Sequence, residues 1–156
     1  EARINVSVSE TKIRFAAEGL TLTSKVIDGT FPDYTRVIPT GNTRRMEVDA
    51  AEFAKAVDRV ATVSSERSRA VKLSLDEDRL ILSVNAPDSG AAEEELAVAY
   101  GDEHLEIGFN AKYLLDVAGQ IESDETRIEF NDAASPARVL DAKDEGAQYV
   151  LMPLRV

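Results

Sequence analysis

Few residues in this sequence could carry reaction chemistry. Cysteine is absent and His104 is the only histidine. Neither a Cys–His nucleophile pair nor a multi-histidine metal site can therefore form. Carboxylates are abundant, but abundance does not make an acid/base pair. The densest group, Asp76-Glu77-Asp78, lacks the downstream glycine and glutamate of a calcium loop and reads as a solvated turn. There is no glycine-rich phosphate loop. We expect no catalytic residue, no metal and no cofactor. The residue types point instead to binding. Pro32, Arg36, Val37, Tyr113, Met152 and Leu154 are the kinds that build an apolar groove for a linear peptide. Methionine adapts to varied occupants, aromatic rings supply contact area, and arginine can hold a carboxylate or a backbone carbonyl. Residue type alone fits ordinary packing between domains equally well.

These residues need elements to position them. The last eight, Tyr149-Val150-Leu151-Met152-Pro153-Leu154-Arg155-Val156, begin as a strand rich in β-formers. Pro153 lacks a backbone donor, so the strand must stop there or lie on an edge. Most chain ends are polar and frayed; one this apolar should be docked against something. Upstream, Gly29 to Thr43 hold glycine, proline and polar residues around the apolar anchors Phe31, Tyr34, Val37 and Ile38, and read as a linker. Phe31 precedes a proline and is pushed to extended geometry.

The rest of the chain divides around that linker. Ile4 to Val8, Lys12 to Ala16 and Leu20 to Ile27 alternate apolar and polar residues. They read as three short strands with one apolar face and little to cover it, like a piece of a larger sheet. From Arg44 a repeat appears. Arg45 to Val48 form a strand. Asp49 with Glu52 gives a capping-box pattern, and a helix runs from Ala50 to about Val63. Strands follow over Ala70 to Leu75, Arg79 to Val84 and Glu93 to Tyr100. The order then recurs: strand His104 to Phe109, N-cap Asn110, helix Ala111 to about Glu122, and strands Thr126 to Phe130, Ala137 to Asp141 and Gln148 to Met152. Helix starts lie roughly 60 residues apart, so each half is strand, helix, three strands. The fold class is α+β, with two β-α-β-β-β repeats able to set two helices side by side on one face of antiparallel sheets. The expected boundaries are 1–30 for the partial sheet, 31–42 for the linker and 43–156 for the repeat domain.

Composition limits the partners. The hydrophobic fraction of 44% is ordinary for a globular domain. No run is long enough to span a bilayer, and the N-terminus is no signal peptide. Lack of cysteine fits a reducing cytoplasm without requiring one. The net charge of -11, from 29 acids against 18 bases, argues against broad contact with phosphate backbones. Lys55, Arg59 and Lys112 fall on the two helices, where solvated charge is the usual case. Arg67, Arg69 and Lys72 cluster beyond the first helix, while Asp49, Asp58, Asp116 and Glu122 share the helices with the cations.

Four stretches occur in order: Gly29-Thr30-Phe31-Pro32-Asp33-Tyr34 with Arg36-Val37-Ile38-Pro39, Glu106-Ile107-Gly108-Phe109-Asn110, Tyr113-Leu114-Leu115-Asp116-Val117, and Tyr149 to the end. With them the whole chain resembles the C-terminal part of the bacterial β sliding clamp, the processivity subunit of DNA polymerase III, beginning inside its middle domain. The resemblance implies a DNA-clamp fold with both helices facing the hole of a ring. It implies a non-catalytic cytoplasmic tether of DNA replication that holds the replicative polymerase on encircled double-stranded DNA. The implied peptide groove is formed by Pro32, Arg36, Val37, Asn110, Tyr113, Val150, Leu151, Met152, Pro153, Leu154 and Arg155. Ala134 and Pro136 stand at rim positions that vary, and Val156 replaces a more usual leucine. The implied occupants are short motifs of the polymerase III catalytic subunit, the clamp loader, other polymerases and repair proteins. The groove's other wall would belong to sequence upstream of Glu1. Lys55, Arg59 and Lys112 would line the bore. A homodimer would close through Thr62 and Val63 with an acidic strand bearing Asp88, Glu93 and Glu94. The alternative is a stand-alone peptide-binding adaptor that does not encircle DNA.

Overall fold

The computed structural model describes residues 3–64, 70–87, 89–144 and 146–156. Two units emerge, Glu1–Tyr34 and Thr35–Val156. In the first, strands β1 (Asn5–Val8), β2 (Lys12–Ala17) and β3 (Leu20–Lys25) pair in order as an antiparallel meander. Gly19 takes the left-handed φ of +77° that its tight turn needs. The apolar residues Val6, Val8, Leu20 and Leu22 stay exposed.

The second unit opens with a single 3-10 turn, Tyr34–Arg36, shared with the end of the first. It then runs β4 (Arg44–Asp49), α1 (Ala50–Ala61), β5 (Ala70–Asp76), β6 (Arg79–Ala86), β7 (Gly90–Ala97) and β8 (Ala99–Tyr100). The second half follows with β9 (Leu105–Asn110), α2 (Ala111–Ala118), β10 (Glu125–Phe130), β11 (Ala137–Asp141) and β12 (Gln148–Leu151). The strands form two antiparallel sheets, ordered β12-β11-β10-β4-β8 and β7-β6-β5-β9. The two halves of the repeat do not keep to themselves. β4, first strand of the first half, pairs with β10, and β9, first strand of the second, pairs with β5.

Local sequence explains most element ends. The Asp49 carboxylate accepts the Glu52 N–H at 2.8 Å and starts α1. Glu52 does not complete the expected box; its carboxylate accepts from Lys55 Nζ at 2.9 Å. Phe53, Ala56, Val57 and Val60 form the buried stripe of α1. Asn110 Oδ1 caps α2 by accepting the Lys112 N–H at 2.9 Å. This helix stops at Ala118, not near Glu122, because Gly119 terminates it with its N–H on Leu115 O. α1 ends at Ala61, short of the expected Val63.

The expected strand Glu93 to Tyr100 is in fact two. β7 ends at Ala97, Val98 is buried, and β8 crosses to the other sheet to pair with β4. The two-residue turn after β5 secures the switch. Asp78 sits at φ 56°, which a short polar side chain tolerates. Its N–H bonds Tyr100 O and its carbonyl accepts the Val98 N–H. Inner-face residues of both sheets, among them Met46, Leu73, Leu82, Ile107, Phe109, Ile128 and Phe130, form one core with the helices. α1 lies against α2 and against strands of both sheets.

The outward face of the five-stranded sheet carries a charged ladder. Glu129 is buried between Arg138, whose Nε donates at 2.9 Å, and Arg45, whose Nε lies 3.7 Å away. Beside them Arg127 Nε donates to Glu47 at 2.9 Å. Asn42 fixes the incoming chain, donating to the carbonyls of Glu129 and Pro136.

A candidate peptide groove

Helical spacing puts Tyr113, Asp116 and Val117 on one side of α2. β12 brings the C-terminal segment alongside: Val150 and Leu151 pair with Arg138 and Ala137 of β11, and Leu151 turns into the core. Pro153 then ends the pairing, as its missing N–H requires. The chain crosses to the other sheet, where Leu154 donates its N–H to the Gly108 carbonyl of β9 at 2.8 Å. Between α2 and this crossing segment lies a cleft of about 420 Å³, lined by Asn110, Tyr113, Asp116, Val117, Val150, Leu151, Met152 and Leu154.

The lining is apolar and open to solvent. Tyr113 is 58% exposed, Met152 64% and Leu154 41%. Three large apolar side chains left uncovered around one concavity mark a surface that gains by being covered. Its polar groups are few. Asn110 Oδ1 is already committed to the cap of α2, and the remaining charge is Asp116. The arrangement can hold an extended apolar chain; the cleft residues present no nucleophile paired with a base.

Of the residues expected to form a groove, the structure brings Asn110, Tyr113, Val150, Leu151, Met152 and Leu154 to this cleft. Pro153 is the half-buried bend within the same segment. Others stand elsewhere. Arg36 and Val37 are exposed and are not among the lining residues; Pro32 belongs to the first unit. Arg155 lines a different cleft of about 310 Å³, with Lys72, Ser83, Asn85 and Val156. Ala134 and Pro136 sit in the β10–β11 loop. Asp132 shapes that loop by accepting the N–H groups of Ala134 and Ser135 at 2.8 and 2.7 Å. Those bonds, Ala134's first, hold the Asp132 carboxyl below its ordinary range. Sequence reading missed Asp116 and Val117 as groove residues, although their spacing from Tyr113 was visible. It also missed Gly108, which carries no chemical signal.

The charged residues divide into exposed and paired groups. Lys55 and Lys112 are exposed on the helices, and Lys55 is paired with Glu52. Arg59 is engaged: its Nε donates to Glu94 Oε2 at 2.9 Å, with a second bond from Nη2 to Oε1. The pairing holds the Glu94 carboxyl below its usual range and raises the Arg59 guanidinium. A residue expected in the bore and one expected at a subunit contact thus form one two-pronged ion pair between α1 and β7. Glu93 lies on the opposite face of β7, exposed. Thr62 is exposed and Val63 half-buried after α1. Asp88, Arg67 and Arg69 lie outside the described residues.

The family model for the DNA polymerase III beta subunit, C-terminal domain, matches residues 35–155. The beta sliding clamp of Caulobacter vibrioides is 53% identical over 153 residues, covering 98% of this chain and 41% of its own. That of Escherichia coli K12 is 35% identical, covering 98% and 42%. A sliding clamp of Bartonella birtlesii, solved bound to griselimycin, superposes with a TM-score of 0.93 at 53% identity, covering 98% of this chain and 41% of that one. A Pseudomonas aeruginosa clamp, also solved with griselimycin, gives 0.90 at 38%, covering 98% and 42%. The chain therefore spans about two fifths of the relatives it matches. With antiparallel sheets, paired helices and a family match across nearly the whole second unit, the chain belongs to the DNA polymerase III beta subunit family, through its C-terminal domain.

Proposed function

We propose that this chain serves as the C-terminal part of a DNA sliding clamp inside the bacterial cell, a non-catalytic tether that keeps a polymerase on double-stranded DNA. The observation that carries the reading is the open apolar cleft of Tyr113, Val117, Met152 and Leu154. Its occupants would be short linear segments of the polymerase III catalytic subunit, the clamp loader, other polymerases and repair proteins. Apolar anchors supply the binding energy. Retention on DNA comes from encirclement by a homodimeric ring, so the acidic net charge is no obstacle. Lys55 and Lys112 are the helix cations proposed to meet phosphates; Lys55 shares its charge with Glu52 one turn away on the exposed helix face, and Arg59 is bonded to Glu94 of β7. Thr62, Val63 and the β7 edge with Glu93 form the surface proposed to meet another subunit. Asp88 and Glu94 complete the acidic set, Glu94 acting through Arg59. The relatives compared are sliding clamps, and none is a separate adaptor.

The groove is tested by titrating a fluorescent peptide from the C-terminus of the polymerase III catalytic subunit against the complete protein. Met152→Ala and Tyr113→Ala should each weaken binding roughly tenfold, the loss of about 1.4 kcal/mol of apolar contact. Griselimycin, bound by related clamps, serves as a competitor. Unchanged affinity in both variants would overturn the assignment.

A further inference from the structure

Gly108 faces outward on β9, between the core residues Ile107 and Phe109. An outward position on a sheet ordinarily welcomes a side chain, and glycine there weakens a strand. Its φ is not left-handed, so the backbone makes no demand for glycine. Space does. A Cβ on Gly108 would overlap the Val156 side chain and stand 2.8 Å from the Leu154 carbonyl oxygen. Gly108 O also accepts the Leu154 N–H at 2.8 Å. This single bridge is where the segment beyond Pro153 joins the second sheet.

We infer that Gly108 is a positioning residue for the groove: its missing side chain lets the C-terminal segment lie flat on β9, which sets Met152 and Leu154 against α2. Gly108 does not line the cleft and acts only through the tail. A side chain at 108 lifts Leu154 and Val156 off the strand and opens the cleft on the side opposite Tyr113. The inward packing of β9 is untouched, so binding and stability separate. The inference rests on the groove reading above.

The test uses the complete protein and the same fluorescent peptide. Gly108→Ala should weaken binding about tenfold while the melting temperature falls only slightly, by the loss of the one tail bond. It should also speed amide exchange at Leu154 while the alternate β12 amides that bond to β11 stay protected. Adding Val156→Gly removes one of the two obstructions and should recover part of the lost affinity. Equal affinity of Gly108→Ala and wild type, with wild type binding, overturns the inference alone. Failure of the wild type to bind takes down the groove reading and this inference with it. Should Gly108→Ala not fold, the wild-type Leu154 amide decides. Protection like that of β12 supports the contact; exchange at the free rate overturns it.

Discussion

Asp141 ties the turn that leads into β10 to the end of β11. Its carboxylate accepts the N–H groups of Glu122 and Ser123 at 2.8 and 3.2 Å and that of Lys143 at 2.9 Å. The Ser123 side chain first, then these backbone groups, keep the carboxyl far below its ordinary range. A carboxyl depressed in the folded state adds stability that is present above its unfolded pKa and lost as pH falls through the folded one. Asp141→Asn should therefore lower the melting temperature near neutrality and flatten its decline below about pH 4, read by thermal denaturation from pH 2 to 7. At the start of α1, Asp49→Ala should cost about 1 kcal/mol, the usual worth of an N-cap, measured by urea denaturation. Asp49, Asn110 and Pro153 were legible because their roles are set within three residues. Gly108 and the Arg59–Glu94 bond were not. Each depends on a neighbour far along the chain, about which residue type says nothing.

At the scale of elements, periodicity located both helices and nearly every strand of the second unit. It tells which face of an element is wet, but not which strand lies beside it. The exchange of β4 and β9 between halves was therefore invisible, although both strands were placed within a residue or two. The break at Val98 was hidden for a related reason: alternation continues through it while the partner changes. α2 was drawn too long because apolar spacing persists to Ile121, and Gly119 outweighs it. In the groove, the cleft-forming part of the tail was legible from its apolar residues and Pro153. Central strands should be the least tolerant of change. Leu73 of β5 is fully buried with strands on both sides, and Leu73→Ala should cost about 2–5 kcal/mol by loss of contacts and a residual cavity. Chemical denaturation would show the midpoint falling with little change in slope.

At the scale of the molecule, the two units differ in what they bury. The meander has three strands and leaves Val6, Val8, Leu20 and Leu22 exposed, so it buries little apolar surface of its own. The second unit has its own core. Limited proteolysis should therefore cut first between Val26 and Asp33 and leave a resistant piece beginning near Thr35, identified by mass spectrometry. For the DNA reading, Lys112→Gln should weaken the electrostatic contact of the assembled clamp with a short linear duplex at low salt and make its salt dependence shallower. An unaltered dependence would remove Lys112 from the bore.

The trading of first strands between halves has a further consequence. Divided between Asp102 and Glu103, the second unit would yield two pieces: one with β5, β6 and β7 of the four-stranded sheet and β4 and β8 of the other, the second with β10, β11 and β12 of the five-stranded sheet and β9 of the first. Neither could satisfy its own unpaired backbone edges, yet each would be the natural complement of its fellow. Mixed at equal concentration they should reassociate without a covalent joint, as a self-recognising pair whose interface is the hydrophobic core itself.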